Sequence, residues 1–189
     1  MSIKPEKPRV AWAFTGSGHY LTECLTLANQ LQDVDFFFSK AAYEVFRIYE
    51  LEHHIQAWQE QQGVRVFRDT AASAPPVGLF YRGDYHTLVI APATSNTVAK
   101  CVVGISDTLV TNIFAQAGKC LIPSIVFACD TEPVMETPAP DRIVKVYPRK
   151  IDLENTERLC EFERTTVVKN LPDLEQVIKQ RIATWQAEY

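Results

Sequence analysis

The stretch Val89–Ala117, VIAPATSNTVAKCVVGISDTLVTNIFAQA, decides how this chain is read. An apolar, β-branched run from Thr87 to Ala91 has the composition of a strand covered on both faces, and such a strand belongs at the centre of a parallel sheet. It ends at Pro92 and passes directly into Thr94, Ser95, Asn96 and Thr97, which open a helical pattern running to Val103. Residues of this type cap helices, and the first-turn N–H groups there lack helical partners. Together with the positive end of the helix dipole they point at whatever lies above the strand end. An anionic or electron-rich group is the expected occupant.

Working outward, the same strand–turn–helix unit recurs. Arg9 to Phe14 is apolar, Thr15-Gly16-Ser17-Gly18 follows, and Tyr20, Leu21, Cys24, Leu25, Leu27, Ala28 and Leu31 then repeat at helical spacing. Val34 to Phe38 is a second apolar run, ended by Ser39-Lys40 and followed by one long helical pattern through Ala42, Val45, Phe46, Tyr49, Ile55 and Trp58 to Gly63. Val64 to Phe67 reads as a short strand, and Asp69 to Gly83, with two prolines and two glycines, as loop. Beyond the central stretch, a helix over Ser106 to Ala117 is closed by Gly118, and Leu121 to Ala128 is the next strand. Thr131 to Asp141, with Pro133, Pro138 and Pro140, reads as an irregular flap. Ile143 to Tyr147, a helical piece near Leu153 to Phe162, a strand at Thr165 to Val168 and a helix from Pro172 to Trp185 complete the chain. Strands alternating with helices predict a single α/β domain over 1–189: a doubly wound, Rossmann-like (flavodoxin-like) parallel sheet between two helical layers. Ligands of such sheets sit beyond the carboxyl ends of the strands where strand order reverses. Four loops should therefore meet: Thr15–His19, Ser39-Lys40, Pro92–Thr97 and Cys129–Pro140.

Composition narrows the partners. The 189 residues carry a net charge of -4, with 47% hydrophobic and 22% charged side chains. That is ordinary globular usage, with no basic footprint for nucleic acid or an anionic membrane. The start, MSIKPEKPRV, lacks the apolar segment of a secretory leader, and no run approaches the length of a membrane span, which predicts a cytoplasmic protein. Cys24, Cys101, Cys120, Cys129 and Cys160 form no CxxC pair and read as reduced thiols, without a metal site.

The glycine turn lacks the third glycine of a dinucleotide fingerprint and the lysine of a P-loop. Gly16, Ser17 and Gly18 nonetheless suit a phosphate through backbone N–H groups and a hydroxyl. Ser39 could add a second hydroxyl, its alternative being an ordinary helix cap. With Thr94–Thr97 these make three hydroxyl-bearing turns, which one flat, phosphorylated ligand could touch together.

PATSNTVAKCVVGISDTL resembles the PxSANTxAKxxxGxxDxL signature of the homo-oligomeric flavin-containing cysteine decarboxylase superfamily, and the GS turn, the strand-end Ser39 and the chain length agree. The resemblance covers most of residues 9–128. It implies FMN as cofactor, with Gly16, Ser17 and Ser39 at its phosphate and Thr94, Ser95, Asn96 and Thr97 at the isoalloxazine. Gly18, His19, Lys40, Pro92, Cys129 and Asp130 complete the candidate cofactor set. A helix N-terminus and hydroxyl donors would stabilise the negative charge that reduced flavin carries. Lys100, one turn further in, is read as pairing with Asp107 or with a carbonyl.

The decarboxylase branches carry a histidine where this chain has Gly78, and a PxMNxxM clamp where it has FACDTEPVMETPAP. The arginine-rich motifs of the flavin prenyltransferases are missing too. VAWAFTGSGHYLTECL, APATSNTVAK and FACDTEP look most like the archaeoflavoprotein and dihydromethanopterin reductase branch. That resemblance implies reduction of dihydromethanopterin, or a similar dihydropterin, by hydride transfer from reduced flavin. The electrons would come from a separate ferredoxin-like or nicotinamide donor, and the assembly would be a homo-oligomer built on trimers. The alternative is a flavin electron carrier with no organic substrate. His19, at the mouth of the glycine turn, could donate to phosphate or protonate a pterin, its ordinary pKa being about 6.5. Asp130 and Glu132 could meet a pterin's aminopyrimidinone edge. His53 and His54 read as surface residues, and His86 as a loop cap.

Overall fold

The computed structural model describes residues 7–188. The polar start that argued against a leader falls largely on residues 1–6 and lies outside them. In chain order the elements are β1 (Arg9–Phe14), α1 (Leu21–Asn29), β2 (Val34–Phe38), α2 (Lys40–Ile48), α3 (Glu52–Glu60), β3 (Val66–Arg68), α4 (Gly78–Tyr81), β4 (Tyr85–Ala93), α5 (Ser95–Val103), α6 (Leu109–Lys119), β5 (Ser124–Ala128), β6 (Met135–Pro138), β7 (Ile143–Val146), α7 (Lys150–Cys160), β8 (Thr165–Val168) and α8 (Leu171–Glu188).

Six strands form one parallel sheet in the order β3-β2-β1-β4-β5-β8. The chain winds outward from β1 to β3, then crosses back to β4 on the other side of β1, so strand order reverses between β1 and β4. The doubly wound α/β class read from the sequence is the observed one. Both faces are covered, which is why β4 is buried along its whole length and, from Leu88 to Ala93, apolar without alternation. On one face Trp12 and Phe14 of β1 and Phe36 and Phe38 of β2 pack with Phe46 and Trp58 beneath α1, α2, α3 and α8. Phe36 and Trp58, with ring centres 3.8 Å apart, and Phe14 and Phe38, 5.3 Å apart, are stacked pairs. On the other face Ala11 and Ala13 leave room for α5 and α6, whose Val98, Leu109, Val110 and Ile113 reach the strands.

Several boundaries differ from the sequence reading. The long helix after β2 is two helices, broken where Glu50 turns left-handed (φ 58°). The Leu51 N–H then closes the end of α2 on the Phe46 carbonyl at 2.8 Å. Apolar spacing ran on across the break because Tyr49, Leu51 and Ile55 all face one cluster. The second helix of the central stretch starts at Leu109, capped by Thr108, and runs through Gly118 rather than stopping at it. Asp69 to Gly83 contains the single turn α4. The flap is ordered rather than irregular: β6 and β7 pair antiparallel from Met135↔Val146 to Pro138↔Ile143, and the Ala139 N–H closes the turn on the Arg142 carbonyl at 2.7 Å. His86 lies within β4, stacked on Trp185 at 4.2 Å, rather than capping a loop. Among the described residues no helix is long and apolar enough to cross a membrane.

Candidate functional site

One buried hydroxyl organises the carboxyl edge of the sheet. Thr15, the first residue past β1, is 1% exposed. Its Oγ1 donates to the Pro92 carbonyl at 2.7 Å and accepts from the Thr94 N–H at 3.0 Å. This ties the two strands between which the order reverses. The Ser39 N–H donates to the Phe14 carbonyl at 3.2 Å and the Cys129 N–H to the Ala93 carbonyl at 3.0 Å, so the ends of β2, β1, β4 and β5 are knitted side by side.

Two hollows open above this edge and share Gly16 and Thr94 as walls. The first, of about 490 Å³, is rich in polar side chains: Ser39, Lys40, Asn96, Thr97, Lys100 and Thr108 line it, together with the carboxylates of Asp69 and Asp107. The N-termini of α2, α5 and α6 converge on it. Ser39 Oγ accepts from the Ala42 N–H at 3.0 Å, Thr94 Oγ1 from Thr97 at 3.3 Å and Thr108 Oγ1 from Thr111 at 3.2 Å. Each cap therefore serves its own helix, and other first-turn N–H groups remain for a ligand. Lys100 places its Nζ 2.8 Å from both Asp107 carboxylate oxygens, the pairing expected of it, so its charge is already matched. The glycine turn approaches α2 closely: a Cβ on Gly16 would lie 2.5 Å from the Ala41 Cβ. Only glycine lets these two donor-bearing segments face one cavity.

The second hollow, of about 330 Å³, lies between the turn Gly16–His19, Cys129, Asp130 and the β6–β7 hairpin, whose Met135, Val144 and Val146 form an apolar wall. Tyr49 fastens the hairpin by donating from its hydroxyl to the Pro138 carbonyl at 2.9 Å. Asp130 accepts a very short hydrogen bond from Ser95 Oγ. The Cys129 thiol, pushed up to about 12 by burial, stays protonated at neutral pH and lies 3.2 Å from Ser17 Oγ as its donor. His19 packs against Tyr20 at 3.8 Å, and Tyr20, held left-handed at φ 60°, packs on Phe127 at 4.8 Å. Both ring nitrogens of His19 are buried without a hydrogen-bond partner. Burial lowers the His19 pKa, while the charges of Asp130 and Glu23 oppose that shift.

A sequence model described as Flavoprotein matches residues 2–187. The chain belongs to the Flavoprotein family. Among solved structures it is similar to DmrB of Burkholderia xenovorans in complex with FMN, described as a cubic protein cage for redox transfer. The identity there is 50% and the TM-score 0.87, with 97% of this chain and 99% of that one covered. An uncharacterised protein of Methanocaldococcus jannaschii is 37% identical over 92% of this chain and 96% of its own. The dihydromethanopterin reductase (acceptor) of Methanosarcina mazei is 39% identical over 66% of this chain, which spans only 56% of that reductase. The flavin cofactor and the reductase branch expected from the motif agree with these findings.

For this Flavoprotein chain the four expected loops do meet, and they sort their residues by hollow. Gly16, Ser39, Lys40, Thr94, Asn96 and Thr97 line the polar one. Gly16, Ser17, Gly18, His19, Thr94, Cys129 and Asp130 line the one under the hairpin. Ser17 thus faces away from Ser39, and its hydroxyl donates to the His19 carbonyl at 3.2 Å. Pro92 and Ser95 line neither: the Pro92 carbonyl is taken by Thr15, and Ser95 orients Asp130. Sequence reasoning missed Tyr49, Thr108 and the β7 half of the wall, having placed the segment to Pro140 over the site as an irregular flap rather than a hairpin. For Thr108 a signal existed in the Thr108/Thr111 spacing, which here forms a reciprocal cap.

Proposed function

We propose that this chain is an FMN-dependent oxidoreductase that reduces the imine bond of a dihydropterin, dihydromethanopterin or a close analogue, to the tetrahydro form. The observation that carries the reading is the pair of joined hollows at the strand-order reversal, one ringed by three helix N-termini and one closed by the apolar hairpin wall. The donor set fits FMN. Three helix N-termini with Ser39, Lys40, Asn96 and Thr97 would hold the phosphate and its polar chain, and Gly16 and Thr94 sit where that chain would pass toward the second hollow. When bound, FMN supplies two-electron hydride chemistry. The protein's own contributions are position and dryness. Thr15 fixes the strand ends, the Tyr49 hydroxyl holds the hairpin down, and the apolar wall of Met135, Val144 and Val146 keeps water from the reacting face. The electron donor would be a separate ferredoxin-like or nicotinamide partner in the cytoplasm, and the assembly a homo-oligomer built on trimers.

The test has two stages. Purified protein is titrated with FMN, and saturable binding with a shifted flavin spectrum is expected; no binding refutes the reading. The loaded protein is then reduced anaerobically and mixed with 7,8-dihydropterin in a stopped-flow instrument. Rapid reoxidation is expected, whereas a rate equal to that with buffer would make the protein an electron carrier.

A further inference from the structure

We propose that His19 is the acid that delivers the proton to the imine nitrogen of the dihydropterin, with Asp130 as the positioning residue that favours its charged form. This rests on the dihydropterin reading above and assigns a residue the family match does not. Hydride addition to a C=N bond leaves an electron pair on nitrogen. The hydride comes from reduced FMN, which is thereby oxidised, the new C–H bond forms at carbon, and the π pair moves to nitrogen. Completing the amine requires one proton from a group inside the hairpin-covered hollow. Of the residues lining that hollow, Cys129 holds its thiol proton far above neutral pH, Ser17 spends its hydroxyl on the His19 carbonyl, and Tyr49 donates to Pro138. His19 alone among these presents a titratable ring with two buried, unpartnered nitrogens. A buried polar atom left without a partner is unfavourable, so a ligand entering the hollow gains by meeting it.

The ring is held for this task. Tyr20 stacks on it from the start of α1, and Tyr20 is itself seated on Phe127 of β5. The charged groups that act on it are Asp130, past the end of β5, and Glu23 of α1; both favour protonation against burial. Ser95, donating to Asp130, fixes that carboxylate on the wall of the same hollow. His19 lines the hairpin hollow and not the polar one, which separates it from the phosphate role the sequence left open. After the transfer the neutral imidazole regains its proton from solvent.

Two measurements on the FMN-loaded protein test the assignment. In the oxidised protein, the His19 ring ¹⁵N resonances are expected to move on addition of 7,8-dihydropterin; unmoved resonances overturn the proposal without reference to turnover. In single turnovers of the reduced protein between pH 5 and 9, the wild-type rate is expected to fall towards tenfold per pH unit on the alkaline side of the His19 titration. His19→Gln, assayed at saturating FMN, should be slower by about 100-fold or more, with a flat profile. Asp130→Asn should move the break in the profile to lower pH, since a charge that favours imidazolium is lost. A His19→Gln protein with wild-type rate and profile overturns the role of His19 while leaving the reductase reading intact. If dihydropterin fails to reoxidise even the wild-type protein, both fall.

Discussion

Replacing Thr15 by Val tests whether the strand-end tie holds the site together. The substitution keeps the shape and removes only the hydroxyl, at a position 1% exposed. Two hydrogen bonds disappear, at 2.7 Å to the Pro92 carbonyl and 3.0 Å from the Thr94 N–H. Each is worth about 1 kcal/mol net, and the carbonyl left behind between two central strands adds a desolvation cost of about 1–3 kcal/mol. The Thr94 N–H borders both hollows, where water can replace the lost oxygen, so a total near 3 kcal/mol is expected. For a chain of this size that corresponds to a drop in Tm of about 9 °C. Loss of the tie also frees the N-cap of α5, and FMN affinity should fall about tenfold, or 1.4 kcal/mol. Circular-dichroism melts of the flavin-free protein and flavin fluorescence titrations give the two numbers. Thr26→Val is the control, because its hydroxyl bonds only to the Thr22 carbonyl on an exposed helix face at 2.9 Å; it should change stability by less than about 0.5 kcal/mol. A Thr15→Val melt within about 2 °C of wild type, with unchanged FMN binding, would refute the argument that this hydroxyl couples β1 to β4.

Gly16→Ala puts a Cβ 2.5 Å from the Ala41 Cβ, both fixed to backbone, so the polar hollow must widen; FMN binding should weaken at least tenfold, while Gly78→Ala, with nothing within 4 Å, should leave it unchanged in the same titration. Burial first, and then the charge of Arg181, lower His86 from 6.5 to about 4. The folded state then binds fewer protons than the unfolded one between those values, so stability falls as pH drops through this window, by at most about 3 kcal/mol, and levels off below it. His86→Phe, which keeps an aromatic ring against Trp185, should lose that part of the pH dependence in urea denaturation between pH 7 and 4. Asp35, fully buried, accepts from Arg65 Nε at 2.7 Å and the Tyr85 hydroxyl at 2.9 Å and lies 3.1 Å from Arg9 Nε; Asp35→Ala leaves Arg9 without its carboxylate and Arg65 with that of Asp84 alone, and should cost about 3 kcal/mol by the same method.

How much of this was legible follows from what each feature depends on. The bounds of β1, β2 and β8 could be read because each is a short run dominated by apolar or β-branched residues, interrupted only by Arg9 and Asp35. The break at Glu50 could not, because a left-handed residue that is neither glycine nor asparagine leaves no local mark, and the apolar face continues through it. The hairpin was hidden by its prolines. Pro138 ends β6 and Pro140 sits in the turn, so they remove donors only where the ladder stops. The hydroxyl-bearing turns were recognisable as caps at strand ends. Their sorting between two hollows was not, since it depends on contacts such as Tyr49 to Pro138, 89 residues apart, and Cys129 to Ser17, 112 apart.

That sorting bears on how an acidic chain can hold a phosphorylated ligand. The net charge is -4, and Lys100, a conspicuous cation of the motif, is matched by Asp107. Attraction in the polar hollow must then come chiefly from directional N–H groups at the ends of three helices, since Lys40 shares that wall with Asp69. Donors of this kind act over the length of a hydrogen bond, inside the distance at which salt screens, whereas a patch of lysines acts over about 10 Å and is weakened by ionic strength. They also leave the neighbouring hollow without excess positive charge, so Asp130 and Glu23 can still oppose the burial that lowers the His19 pKa. Had Lys100 been free to supply the phosphate's counter-charge, its field would have added to burial in disfavouring a protonated His19. On the proposed reading, anion binding and proton delivery would then fall in two cavities that share Gly16 and Thr94 as walls, with Lys100 held to Asp107 on the side away from His19's hollow.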